Sequence, residues 1–309
     1  MTASTAAYDA PECWPPLPLA GWIDTCATLH MWAQIVGKVR LALTPRVNHW
    51  WNVPLYVDPR GLTTGSIPYR TGAFELRFDF VSHELTLATS LGDTRAIPLA
   101  PRSVADFHDA CMSMLRAADI EVAIWSTPVE VADPIPFEKD HVHASYDRAS
   151  VERFSRVLRS VDRVLHEFRT GFIGKCSPVQ FFWGSFDLAV SRFSGRAAPP
   201  RAGADEMTRE AYSHEVSSVG FWPGEAFTDA AFYAYTVPEP AGYRERMPRP
   251  SSAYYDTKLG EFILMYDDVR SASAPTAALL DFCESTYAAG AELGGWDRAS
   301  LERLRPGRA

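Results

Sequence analysis

Gly174-Lys175-Cys176-Ser177-Pro178-Val179-Gln180-Phe181-Phe182-Trp183-Gly184-Ser185-Phe186-Asp187-Leu188-Ala189-Val190-Ser191-Arg192-Phe193-Ser194-Gly195-Arg196 is the stretch that decides how this chain folds. Two β-like runs, Val179–Trp183 and Phe186–Val190, flank Gly184-Ser185, and polar groups crowd around both. Lys175, Arg192, Arg196, Asp187, Ser177, Ser185 and Ser194 share the span with five aromatic rings. A buried polar group costs free energy unless it finds a partner, so this mixture specifies a polar pocket or a dense polar network. A fainter echo lies at residues 37–61. Gly37-Lys38 resembles Gly174-Lys175, and, counting from Pro45 and Pro178, Trp50 matches Trp183, Leu55 matches Leu188 and Val57 matches Val190.

Outward from this span, each half reads as helix, several strands, helix. In the first half Gly21–Val36 is predicted helical, with Leu29, Trp32 and Val36 as its apolar stripe. Strands are expected at Val39–Leu43, Asn52–Val57, Phe74–Val81 and Glu84–Thr89, the last two joined by a turn at Ser82-His83. Strict alternation in Phe74-Glu75-Leu76-Arg77-Phe78-Asp79-Phe80 gives that strand one apolar and one charged face. A helix from Ser103 to Ala118 and a strand at Glu121–Trp125 complete the half. In the second half a helix runs from Asp147 to Phe168, with Phe154, Leu158, Val161 and Leu165 on one face. Further strands follow at Glu215–Phe221, Ala231–Tyr235 and Glu261–Tyr266, then a helix over Pro275–Leu293. Loops are expected at 197–206 and 238–252.

The expected fold class is α+β, two similar halves, each an antiparallel sheet flanked by helices, a pattern that points to internal duplication. The expected divisions are an extended arm at 1–20, the first half at 21–125, a connection at 126–148, the second half at 149–293 and a charged, frayed tail at 294–309. A chain of 309 residues suits two halves better than one core.

Composition narrows the function. Apolar residues at 47% and charged residues at 22% are ordinary for a globular protein. The formal net charge of −8 argues against nucleic acid or an anionic membrane as partner. Five scattered cysteines without a C-x-x-C pair fit a reducing cytoplasm. The N-terminal residues lack a basic leader followed by an apolar run, and no stretch has the roughly 20 apolar residues of a membrane span. The oligomeric state stays open. Neither a G-x-S-x-G elbow, nor a Walker loop, nor G-x-G-x-x-G is present, which disfavours serine hydrolases and nucleotide-binding enzymes.

The chain resembles a bacterial family catalogued as domain of unknown function 5996. The resemblance rests on Thr28-Leu29-His30-Met31-Trp32, Gly37-Lys38-Val39-Arg40-Leu41, Asn48-His49-Trp50-Trp51, Phe182-Trp183-Gly184-Ser185-Phe186-Asp187, Arg192-Phe193-Ser194-Gly195-Arg196, Tyr212-Ser213-His214-Glu215 and Gly220-Phe221-Trp222-Pro223-Gly224. It extends over almost the whole chain and implies no activity.

Three groups of residues carry candidate chemistry. His30, Gln34 and Lys38, at i, i+4 and i+8, form a polar row on one helix flank. They either orient an anion or carbonyl or simply edge the core. Lys175, Ser177, Asp187, Arg192 and Arg196 form a second group suited to holding a carboxylate or phosphate. Asp187 and Arg192, five apart, face opposite sides of a regular strand, so their pairing needs a bend or a neighbouring strand. His49, Tyr212 and His214 are the proton-transfer candidates, His49 because an imidazole among aromatics is held neutral by desolvation.

His141 and His143 point to one side of an extended chain and are the best metal candidates, without a correctly spaced third ligand. The leading expectation is a protein that binds or acts on a small anionic metabolite with no cofactor. One alternative is a divalent-metal enzyme at His141 and His143. Another is a non-catalytic interaction module whose polar clusters only lock the fold.

Overall fold

Alternation of apolar and polar residues builds the first sheet, the second is buried on both faces along much of its length, and long amphipathic or wholly buried helices cover one face of each. The computed structural model describes residues 8–225 and 228–303. The first half opens with α1 (Ile23–Leu43). It continues through β1 (Tyr56–Asp58), β2 (Gly61–Thr63), β3 (Ile67–Tyr69), β4 (Gly72–Asp79), β5 (Glu84–Thr89) and β6 (Thr94–Pro98) to α2 (Val104–Ala117). The second half opens with α3 (Arg148–Thr170). There follow β7 (Gln180–Phe182), β8 (Asp187–Ala197), α4 (Glu206–Ala211), β9 (His214–Glu225) and β10 (Thr228–Val237). The half ends with β11 (Tyr254–Asp256), β12 (Glu261–Met265), α5 (Tyr266–Arg270), α6 (Pro275–Leu293) and α7 (Arg298–Leu301).

The protein is thus α+β, with two antiparallel sheets flanked by helices. The first sheet has the order β1-β2-β4-β5-β6, with β3 on the other end of β4. The second has the order β11-β12-β10-β9-β8-β7. Their neighbouring edges touch at a single bridge. Leu55, one residue before β1, and Phe181 of β7 exchange two backbone hydrogen bonds of 2.9 and 2.8 Å. Buried side chains from both halves, among them Trp32, Phe78, Phe107, Phe154, Phe181 and Phe232, form one continuous core.

Helix ends follow the expected chemistry. Ser103 caps α2 through the Asp106 N–H and Asp147 caps α3 through the Ser150 N–H. The first helix departs from expectation. Val39–Leu43 continues α1 instead of forming a strand, because the helix is buried on nearly every side and its apolar residues lose the periodicity of an amphipathic helix. Gly37 therefore sits inside a helix and not at its end. A Cβ there would lie 2.3 Å from the Trp183 indole, whose N–H donates to the Val53 carbonyl at 2.9 Å, so glycine admits the ring against the helix backbone.

Several other boundaries shift. Glu121–Trp125 joins no sheet, and only residues 56 and 57 of the Asn52–Val57 run enter β1. Helix α4 begins within the expected loop at 197–206. The arm is anchored through buried Trp14, Leu17 and Leu19, with the Tyr266 hydroxyl donating to the Pro15 carbonyl at 2.8 Å. The tail is not frayed as far as Arg303. Trp296 is buried, and Arg298 pairs with Glu292 and Glu302. Residues 1–7 of the arm and 304–309 of the tail lie outside the described residues. Among the described residues, no helix is long and apolar enough to cross a membrane.

Candidate functional site

The second sheet has one face against α3 and α6 and one face turned away from them. Strand parity decides what each presents. On β8, Leu188, Val190 and Arg192 turn to the helices, while Asp187, Ala189, Ser191 and Phe193 turn to the open face. The register pairs Ser191 with Ser218 and Ser218 with Tyr235, and Ala189 with Gly220 and Gly220 with Tyr233. Two hydroxyl-bearing rows therefore lie side by side. The tyrosines alternate in Tyr233-Ala234-Tyr235, so both share the open face.

The turn containing Asn48–Trp50, from the first half, and α4, from the second, lie against one another over this face. The turn is held by charge. Arg46 pairs with Glu206 at 2.6 Å and with Glu210, and stacks on Trp50 at 4.2 Å. Glu210 accepts the His49 backbone N–H at 3.1 Å. His49 and Trp50 both occupy the left-handed backbone region, at φ 57° and 59°. Such strain costs about 1–3 kcal/mol per residue and persists only where the surroundings enforce it.

Between cover and sheet lies a cavity of about 200 Å³. Its walls include His49, Trp51, Phe193, Asp187, Tyr212 and Tyr233, together with Ser185, Ser191 and Ser218. At one end the His49 imidazole faces the Ala211 carbonyl through Nδ1, at 3.1 Å, and the Lys175 ammonium through Nε2, at 2.6 Å. A carbonyl only accepts and an ammonium only donates, so His49 is the neutral tautomer with its proton on Nδ1. Burial lowers the His49 pKa, and the nearby charges of Lys175 and His214 lower it further. Burial also lowers that of Lys175, whose Nζ lies 5.4 Å from the ring centres of Trp51 and Phe193. The His214 ring meets His49 edge-on with centres 5.5 Å apart, and the Tyr212 hydroxyl is 3.0 Å from that of Tyr235.

At the other end Asp187 is fully buried and accepts hydrogen bonds from Ser185 and Tyr233. Burial pushes its carboxyl up to about 6, against those two hydrogen bonds. Gly220 makes this contact geometrically feasible, since a Cβ there would lie 2.4 Å from the Tyr233 ring that crosses it. The cavity is therefore bipolar, with the His49 imidazole, backed by the Lys175 ammonium, at one end and a carboxyl at the other.

Of the predicted residues, His49, Tyr212 and Asp187 line this cavity, and Lys175 and His214 adjoin it through His49. The remaining ones lie elsewhere. His30, Gln34 and Lys38 do form one row, but it fastens the connection between the halves. His30 Nε2 bonds to the Gly184 carbonyl at 2.8 Å, and Gln34 exchanges bonds of 2.7 and 2.9 Å with the Val129 backbone. Lys38 donates to the carbonyls of Trp125, at 3.0 Å, and Thr127. Burial lowers the His30 pKa to about 4 and that of Lys38 to about 8. Ser177 donates to the Pro178 carbonyl and receives the Ser191 N–H.

Arg192 points to the opposite face of the sheet, stacked 3.3 Å from the centre of the Phe168 ring and bonded to the Phe168 carbonyl. Arg196 is exposed and binds Glu215 at 2.7 Å and the carbonyls of Gly294 and Gly295. Of the cations expected to hold an anion, only Lys175 is near the cavity, because Lys38, Arg192 and Arg196 are engaged at other places. His141 is exposed, and His143 bonds through Nδ1 to Asp140 at 2.7 Å. Among the described residues no group of three or more His, Cys, Asp or Glu side chains is arranged to hold a metal.

Sequence reasoning passed over Tyr233, Tyr235, Ser191 and Ser218. Ser191 has the parity of Asp187 and Phe193 on β8, and the register carries that face to Ser218 on β9 and to Tyr233 and Tyr235 on β10. Comparison with known proteins adds a family without an activity. Residues 14–303 match the family of unknown function DUF5996, and the chain belongs to it. No curated protein and no solved structure matches.

Proposed function

We propose that this member of the DUF5996 family binds, or acts by proton transfer on, a small polar acid in the slot on the open face of the second sheet, without a cofactor. The observation that carries the reading is the Lys175–His49 contact at the end of an aromatic-walled cavity. Lys175 would exchange His49 for the ligand's carboxylate, which frees Nε2 of a neutral imidazole to take a proton. Tyr212 and Tyr235 would donate from the side, and Asp187 would accept a hydroxyl or ammonium at the far end. A volume of about 200 Å³ suits a metabolite of few heavy atoms, below the roughly 300–1,000 Å³ of drug-sized sites.

Two coarser aspects belong to the same reading. The five cysteines, none of them in a disulfide, support a cytoplasmic location. The shared order of helix, strands and helix, with first strands meeting antiparallel at Leu55 and Phe181, supports descent from a duplicated unit.

The test is thermal unfolding against a panel of carboxylic acids of about two to five carbons. At least one acid should raise the midpoint in a saturable way, and His49→Gln and Tyr212→Phe should weaken that response. Absence of any response across the panel, with native mass spectrometry also finding no retained small molecule, would defeat the proposal.

A further inference from the structure

We propose that Lys175 is a nucleophilic amine that forms an imine with a small carbonyl compound, with His49 as the base that serves it. The inference rests on the pocket reading above and deepens it by naming the ligand class, a small 2-oxo or aldehyde acid. The geometry repeats the logic of an activated nucleophile, in which a base touches the nucleophile and a third group orients the base. Lys175 Nζ lies 2.6 Å from His49 Nε2, and the Ala211 carbonyl fixes the ring through Nδ1 at 3.1 Å. The ring is stacked on Trp51, with centres 5.3 Å apart, and packed against Phe193 at 4.7 Å, so it cannot turn away without disrupting the cavity wall.

The chain's composition sharpens the choice. Only four of its thirty basic residues are lysines, namely Lys38, Lys139, Lys175 and Lys258. Lys139 and Lys258 are exposed, and Lys38 is occupied by two backbone carbonyls. Lys38 also lies over rings, those of Trp125 and Phe137, but Lys175 is the one with an imidazole within hydrogen-bonding distance, and desolvation favours its uncharged form.

The step balances without a further reactant. The ammonium gives one proton to His49 Nε2, and the free amine adds to the carbonyl carbon. The carbonyl oxygen takes that proton back to form a carbinolamine, then leaves as water with the second hydrogen from nitrogen. The product is a protonated imine, so an ammonium and a carbonyl have become an iminium and one water. No electrons change hands.

The test uses the full chain with glyoxylate and, separately, pyruvate, in the presence of sodium cyanoborohydride, which reduces an imine to a stable secondary amine. Intact mass and peptide mapping then locate the adduct. The expected result is labelling of Lys175 at least tenfold faster than of Lys139 or Lys258. His49→Gln should slow it by at least tenfold with the unfolding midpoint unchanged. Lys175→Arg should keep saturable thermal stabilisation by the same acids while losing the adduct, and it retains the buried cation if Lys175→Met fails to fold.

Equal labelling of the exposed lysines and Lys175 would overturn the inference. So would stabilisation by these acids with no adduct on Lys175, a result that leaves the pocket reading standing. Neither stabilisation nor adduct, for these probes and for the wider acid panel, would remove both.

Discussion

The outer faces of the two sheets solve the same problem in opposite ways. On the first sheet the row Tyr56, Thr63, Arg77, Thr86 and Ala96 and its neighbours carry charge and hydroxyls. Arg77 bridges Asp58 at 2.6 Å and Glu75 at 3.1 Å, and Arg60 pairs with Asp79. Such a face is satisfied by water and by its own ion pairs, so nothing needs to cover it. On the second sheet the corresponding face holds Ala189, Tyr233 and Ile263, all buried, with Phe182, Trp222, Tyr235 and Met265 packed around them. This face does need a cover, and the turn at 47–51 with α4 supplies an incomplete one. The cavity is what the incomplete cover leaves. Because the turn comes from the first half, the contact between His49 and Lys175 spans 126 residues of chain.

The strongest way to break this arrangement is at its joint. Gly37→Val would place side-chain atoms where the Trp183 indole lies, with the first carbon only 2.3 Å from the ring. Overpacking in a rigid interior costs about 1–3 kcal/mol and more where backbone must move. Both faces depend on this junction, so we expect a loss of at least about 3 kcal/mol in urea unfolding or no folded protein. A wild-type midpoint would show that the indole can relocate cheaply.

Gly220→Val should separate the two faces. Its Cβ would displace the Tyr233 ring and pull the phenol from Asp187, so Asp187 would lose a donor inside the sheet. A loss of about 1–3 kcal/mol is expected, with small-acid binding abolished. Retained binding at wild-type strength would mean that the Asp187–Tyr233 end takes no part in recognition.

Acid titration should sharpen the contrast, since the two faces respond with opposite sign. Burial raises Asp187 to about 6, above the roughly 3.9 of an unfolded aspartate, so the native state takes up a proton first. Stability from this group therefore increases as pH falls from about 7 to 4, by up to about 3 kcal/mol. Glu261, raised to about 7 by burial and by the charges of Asp187 and Asp256, acts in the same direction. On the first sheet burial pushes Asp79 upward, but Arg60 and the N–H groups of Ser82 and Val81 outweigh it and hold its pKa down. Its contribution is present above about pH 4 and is lost below that. Asp187→Asn should flatten part of the gain between pH 7 and 4, leaving the share that burial and Asp256 give Glu261, and should leave the acid limb below pH 4 unchanged. An unaltered profile in the upper window would show that Asp187 titrates as an ordinary carboxylate.

Much of this contrast was legible in the letters. The alternation of Phe74–Phe80 specified β4 and its charged outer face, and Ser103 and Asp147 marked two helix starts through local hydrogen bonds. Val39–Leu43 misled because a helix buried on all sides carries no periodic signal. Gly37 misled because its reason is tertiary, a ring from residue 183. The same limit applies to the site. His49, Lys175, Tyr212 and His214 are recognisable as groups with chemistry, but their meeting depends on two left-handed residues and an Arg46 clamp that no local pattern announces. Arg192 was the readable exception, since its five-residue offset from Asp187 already placed it on the opposite face.

The smallest effect is expected where the first sheet appears most elaborate. Arg77 has two acidic neighbours, yet its side chain is 33% exposed and that of Glu75 is 29% exposed. Exposed ion pairs contribute about 0–1 kcal/mol, because water competes for each charge and the long side chains lose freedom on pairing. Arg77→Ala should therefore cost no more than about 1 kcal/mol in urea unfolding. Labelling of Lys175 should be unaffected, since Arg77 lies on the other sheet and touches none of the cavity walls. A loss of several kcal/mol would mean that the charged face is a structural network and not a solvated one. The division between a face that only faces water and a face that holds a site would then have to be redrawn.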